Sequence, residues 1–290
     1  MSVSVTFAKI QIYCKTTKII LQNLYFVVVF YEWVLEMWFF ISIFADMLNY
    51  ILTSSPSVSM DGAINPANGF LWQVQQMVPN PSRCLFVSSH PDEPGFGDHC
   101  TVCMAQAFED VDFRFLAFDC LDRRNADKAQ ELVNAADWII LGGGHVPTQN
   151  AFLNEIGFAK MLKDYDGLVL GISAGSMNMA RVVYAQPEEK GEAINPDYKR
   201  YLPGLGITDV QILPHYYMCK DMEVDGFHVY EDLAIPDSRK RGDRYYVFPD
   251  GTFLLGKDGK ETIYGEMYII ENGVMRKITD DGQWIELPFI

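Results

Sequence analysis

The chain has 290 residues, 49% of them hydrophobic, and a formal net charge of −15 from 38 acidic and 23 basic side chains. That length and apolar content supply a substantial core and exclude a disordered or repetitive chain, while the negative charge opposes any extended contact with nucleic-acid phosphates or anionic lipid. Short peptides and small molecules are the expected partners, with no nucleic acid. Six cysteines at irregular spacings (Cys14, Cys84, Cys100, Cys103, Cys120, Cys219) do not make a disulfide framework and fit a reducing, cytoplasmic compartment.

Residues 1–46 differ in composition from the rest and form a hydrophobic N-terminal extension. The stretch 19–45 is long enough to cross a bilayer as a helix, but Glu32 and Glu36 lie within it, and each carboxylate costs about 2.5–3.5 kcal/mol at a helix centre. A membrane anchor is therefore the lesser reading. An extension packing on some other surface, or sequence upstream of the real start, is preferred, and the domain is expected to run over 47–290.

From Met47 onward apolar runs alternate with helical spacing. Strands are predicted at 50–52 (with 49–53 as the wider limits), 84–88, 113–118, 138–141 and 168–172, and helices at 69–78, 100–108, 126–136, 150–165 and 176–183. This alternation predicts an α/β fold, a doubly wound and mostly parallel sheet flanked by helices, with ligands at the carboxyl ends of its strands. Beyond Val183 loops rich in Pro, Gly and acidic residues give way to hairpin-like strands. Runs 245–248 and 252–255 flank Pro249-Asp250-Gly251, and runs 266–270 and 274–278 flank Glu271-Asn272-Gly273. Antiparallel hairpins near the C-terminus are expected.

The chemistry centres on Gly171-Ile172-Ser173-Ala174-Gly175, placed between an apolar strand and a helix-like stretch. This is the layout of a nucleophile elbow, in which small neighbours let a serine occupy a sharp strand-to-helix turn. A serine hydroxyl needs a base, an orienting acid and fixed donors for the developing oxyanion. His215 follows the apolar run Ile212-Leu213 and Pro214 at another strand end and is the candidate base. His145, after Gly142-Gly143-Gly144, is expected to line the pocket or brace the loop, and His90, His99 and His228 to be solvated. The glycine run can expose consecutive N–H groups, so Gly143 and Gly144, with Ala174, are the candidate oxyanion donors. Spacing leaves Asp209, Asp221, Asp225 and Asp250 open as the acid. Cys100 and Cys103 form a C-x-x-C, but no second ligand pair follows, so a helix face carrying two small apolar groups is expected, with no metal and no cofactor. The glycine run also lacks the Gly-Lys-Ser/Thr of a phosphate loop.

Four motifs in matching order, Gly142-Gly143-Gly144, Gly171 to Asn178, Leu213-Pro214-His215 and Phe248-Pro249-Asp250-Gly251, resemble the peptidase E family, the aspartyl dipeptidases grouped with cyanophycinases. The resemblance spans about Met47 to Ile278. It implies a fold related to class I glutamine amidotransferases and a triad of Ser173 as nucleophile, His215 as base and Asp250 as orienting acid where a Glu is common, with Asp209 as second choice; Asn178 joins His145 as a pocket residue. Relatives of this kind read an acidic side chain with an arginine after the catalytic histidine. Residues 216–227 carry no arginine, with Lys220 beside Asp221, Glu223 and Asp225, and Arg239, Arg241 and Arg244 are the nearest substitutes. The expected activity is serine-type hydrolysis of short peptides through an acyl-enzyme. The alternatives are a non-catalytic amidotransferase-like binding module and a cyanophycinase-like hydrolase of isopeptide-linked acidic substrates.

Overall fold

The computed structural model describes residues 48–56 and 62–287; the extension over 1–46, with its proposed anchor 19–45, lies outside the described residues. Sixteen strands follow in chain order among them: β1 (Asn49–Thr53), β2 (Ser82–Val87), β3 (Phe115–Leu121), β4 (Trp138–Leu141), β5 (Leu168–Ile172), β6 (Val182–Tyr184), β7 (Tyr201–Pro203), β8 (Gln211–Leu213), β9 (Glu223–Val224), β10 (Phe227–His228), β11 (Arg244–Val247), β12 (Phe253–Lys257), β13 (Lys260–Tyr264), β14 (Met267–Glu271), β15 (Val274–Thr279) and β16 (Trp284–Glu286). The main sheet has the order β16-β13-β12-β1-β5-β4-β2-β3. Its half from β1 to β3 is parallel, and β12, β13 and β16 add antiparallel.

The near-continuous apolar sequences of the parallel strands reflect burial on both faces. Alternate residues enter opposite cores. Leu52, Val87, Ile139 and Val169 join Phe152, Met177 and Tyr245 on one side, while Ile51, Phe86, Ile140 and Leu170 join Phe70, Phe108 and Trp138 on the other. Helices Phe70–Met77 and Pro94–Glu109 cover the second side, and helices Ala129–Ala135 and Val146–Glu155 cover the first. The α/β reading from sequence therefore describes the molecule.

Three local expectations are corrected. The helix predicted over 150–165 starts at Val146 and breaks at Gly157, whose φ of 69° places it in the left-handed region. The helix after Ser173 has five residues, Ala174–Asn178, and the β-branched pair Val182-Val183 then pairs with 202–203 as a strand. The supposed hairpin around Pro249-Asp250-Gly251 is not one. β11 belongs to a separate four-stranded sheet, β15-β14-β11-β8, whereas β12 lies in the main sheet beside β1. Turn chemistry at Asp250-Gly251 thus serves a passage between two sheets. The second hairpin is as expected, with Asn272 and Gly273 both at positive φ between β14 and β15. Among the described residues no helix is long and apolar enough to cross a membrane.

Candidate active site

Ser173 follows β5 directly at φ 50° and ψ −111°, a strained conformation for a residue with a Cβ. The turn is held from both sides. Its N–H donates to the Thr53 carbonyl at 3.0 Å, extending the β1–β5 ladder, and its carbonyl accepts from Met177 N–H at 3.0 Å. The buried Ser176 hydroxyl accepts from Thr53 N–H and donates to Thr53 carbonyl, each at 2.9 Å. A Cβ on Gly175 would stand 2.1 Å from the Leu141 carbonyl oxygen, so only glycine lets the elbow pack against β4.

The glycine loop after β4 leans on the serine. A Cβ at Gly143 would lie 3.4 Å from the Ser173 Cβ, and Gly144, at φ 147°, would place one 2.3 Å from the Ser89 hydroxyl. That hydroxyl donates to the Gly143 carbonyl at 2.5 Å. In a trans peptide C=O and N–H point in opposite directions, so this bond turns the Gly144 N–H away from Ser89, and Gly144 lines the cavity that contains Ser173.

His215 follows β8 in the left-handed region at φ 57° and ψ 40°. Its Nδ1 is 2.8 Å from Asp250 Oδ1. Ser54, fully buried just past β1, ties the pair together, accepting from His215 N–H at 2.7 Å and donating to the same Asp250 oxygen at 2.7 Å. Burial acts to raise the Asp250 carboxyl, but the hydrogen bond and charge of His215 and the Ser54 hydroxyl outweigh it and hold the group below its ordinary value. The other acids are committed elsewhere. Asp209 pairs with Arg181 at 2.9 Å, Asp221 with Lys220 at 3.1 Å, and Asp225 accepts from the N–H groups of Gly191 and Ala193.

Ser173 and His215 line one cavity of about 350 Å³ with Gly144, Met177, Gln186, Glu188, Leu213, Pro214, Cys219 and Met222. Burial and the nearby Glu188 and Asp250 push the Cys219 thiol up to about 11, so the serine hydroxyl has no thiolate rival there. Asn178 is not among these lining residues. It is fully buried, and its amide donates to the Val146 carbonyl and the Gln149 side chain and accepts from Asn150, which fixes the short helix to helix Val146–Glu155. His145 also stands behind the cavity wall: Nδ1 meets the Thr148 hydroxyl at 2.7 Å and Nε2 meets Glu192 at 2.9 Å. The other oxygen of Glu192 accepts from Glu188 and Glu189 N–H, so His145 braces a loop that sequence reading did not connect to the site. His145, Glu189 and Glu192 also bring potential ligand atoms within 4.8 Å of one another. Arg241 and Arg244 are taken up by Asp243 and Glu271, and Arg239 packs beside Gly273. None of the three lines the cavity.

The missed residues are Ser54, Gln186, Glu188 and Glu192. Ser54 carried a faint signal, a hydroxyl placed at the carboxyl end of a central strand.

A mostly parallel sheet of this order with helices on both faces, and a strained serine following its central strand in the same cavity as a histidine bonded to Asp250, defines an α/β class of fold. The sequence matches Peptidase family S51 over residues 51–263, and the chain belongs to that family. Among solved structures it is similar to a peptidase from an acI-B1 Actinobacterium, at 16% identity and a TM-score of 0.56 over 83% of this chain and 97% of that one. A putative peptidase E protein from Listeria monocytogenes EGD-e shares 15% identity, with a TM-score of 0.49 over 80% of this chain and 100% of that one. No curated protein matches the sequence. The protein is a peptidase of the peptidase E family.

Proposed function

We propose that this peptidase is a serine-type enzyme that cleaves short peptides, dipeptides among them, through an acyl-enzyme on Ser173. The observation that carries the reading is the Asp250–His215 pair, 2.8 Å apart, opening on the same cavity as the serine of the elbow. His215, oriented through Nδ1, uses its other nitrogen to take the Ser173 proton as Oγ attacks the peptide carbonyl. Gly144 with Gly143 and Ala174 supplies N–H groups to the oxyanion. The imidazolium then gives its proton to the leaving amine, and water resolves the ester by the reverse path. Asp250 remains ionised throughout, favouring the imidazolium. The irregular cysteine spacing supports a reducing, cytoplasmic setting for the enzyme.

A fluorophosphonate probe tests the proposal. Wild-type protein is expected to be labelled at Ser173, and Ser173→Ala and His215→Ala to lose labelling; wild-type protein that neither reacts with the probe nor hydrolyses any dipeptide would identify a binding module instead.

A further inference from the structure

The cavity that holds Ser173 and His215 has further lining residues with a chemistry of their own. Among the described residues that line it, Glu188 is the one carboxylate beyond the triad, and no lysine or arginine is present. Gln186 is 94% buried, since its relative exposure is 6%, and its Oε1 has no hydrogen-bond partner. A buried carbonyl oxygen without a donor is costly and calls for one from outside the chain. Met177, Leu213, Cys219 and Met222 supply the apolar remainder, suited to an aliphatic stem.

The segment is held in place, so Glu188 is presented by design of the backbone. Glu192 accepts from the N–H groups of Glu188 and Glu189, and Asp225 accepts from those of Gly191 and Ala193. His145 in turn fixes Glu192 at 2.9 Å.

We infer that this cavity reads a primary ammonium group of the substrate, with Glu188 and Gln186 as its acceptors. The inference rests on the serine-peptidase reading and assigns its substrate class. An ammonium offers three donors and no acceptor, matching a carboxylate and an orphaned amide oxygen in one pocket. An acidic side chain would instead face Glu188 with no guanidinium to pair with it. Glu188 is exposed as a whole residue and lines the cavity. Burial pushes the group up to about 7, with Glu192 and Glu189 adding to the rise and His145 and His215 opposing it. A bound cation would reverse that burden.

The ammonium can come from a lysine side chain or from the α-amine, and hydrolysis of Lys-Ala, norleucyl-Ala, Asp-Ala and Nα-acetyl-Lys-Ala by the full chain separates the two. For a side-chain ammonium, kcat/KM for Lys-Ala is expected to exceed that for norleucyl-Ala about tenfold, as one charge-assisted hydrogen bond provides, and Glu188→Gln to bring the ratio near one. For an α-amine, Lys-Ala and norleucyl-Ala are cleaved alike, acetylation abolishes turnover, and Glu188→Gln lowers both. A Glu188→Gln variant that cleaves all four substrates at wild-type rates overturns the inference. If wild-type protein is neither labelled nor active, the serine reading falls. Calorimetry with lysinamide then decides the ammonium site separately: binding lost in Glu188→Gln supports it, and equal or absent binding in both proteins overturns it.

Discussion

Two walls meet at the cavity, and they are built differently. The catalytic wall stands on strand ends. Ser173 follows β5, Ser54 follows β1 and His215 follows β8, so main-chain ladders fix all three before any side chain is considered. The facing segment 186–192 belongs to no strand or helix and is positioned by carboxylates, with Glu192 and Asp225 capturing four backbone N–H groups between them. On the proposed reading, chemistry stands on the rigid framework and selection on a loop whose shape depends on a few side chains. Such a loop can change its preference without disturbing the reacting atoms.

This contrast can be broken by substitutions on either wall. Ser173→Ala should have the largest effect, a fall of about 10⁶-fold in kcat with little change in melting temperature, because a unit of nucleophile and base fails as a whole. Asp250→Asn should lower kcat by about 10³- to 10⁴-fold by removing the charge that orients His215 and favours its imidazolium; steady-state kinetics on any cleaved dipeptide measures it. Ser54→Ala should reduce kcat about tenfold, in the range of one lost hydrogen bond to a charged group, while KM moves little and Ser54→Thr restores most of the rate. A KM effect larger than the kcat effect would assign Ser54 to the wrong wall.

On the selective wall, Glu192→Gln should keep Ser173 reactive toward a fluorophosphonate yet reduce the Lys-Ala to norleucyl-Ala ratio several-fold, since its grip on residues 188 and 189 depends on charge. The smallest effect is a pH trend. Glu188 carries its charge above about pH 7, so the ratio should rise as pH passes from 6 to 8. The facing groups Glu189, Glu192, His145 and His215 all act on that titration, and the trend should vanish in Glu188→Gln. The stability contribution has the opposite sign. A carboxyl raised in the folded state favours folding fully below its unfolded value of about 4.3 and loses that contribution as pH rises through about 7.

The same contrast explains how much could be read from the sequence. The strand over 168–172, the small residues of the elbow and the glycines after β4 are local consequences of steric limits, so pattern alone located them. His215 was found because Leu213-Pro214 announces a strand end. Asp250 was placed through family resemblance, since its apparent hairpin hides a crossing from one sheet to another. Ser54, Gln186, Glu188 and Glu192 were out of reach for a different reason: each acquires meaning from a partner distant in the chain or from its absence, as with Ser54 and Asp250, or the orphaned oxygen of Gln186. The helix over 150–165 failed at Gly157, where one left-handed residue overrode a continuous apolar period.

The pairing of β1 with β12 sets an order of events in biosynthesis. Ile51 lies opposite Leu255, and Ser54 reaches Asp250, so among the first strands to leave the ribosome is one whose neighbour is made near the end. Non-local pairing of this kind slows folding. On the proposed reading, a half-made chain that already carries Ser173 still lacks the Asp250 carboxylate that would hold His215.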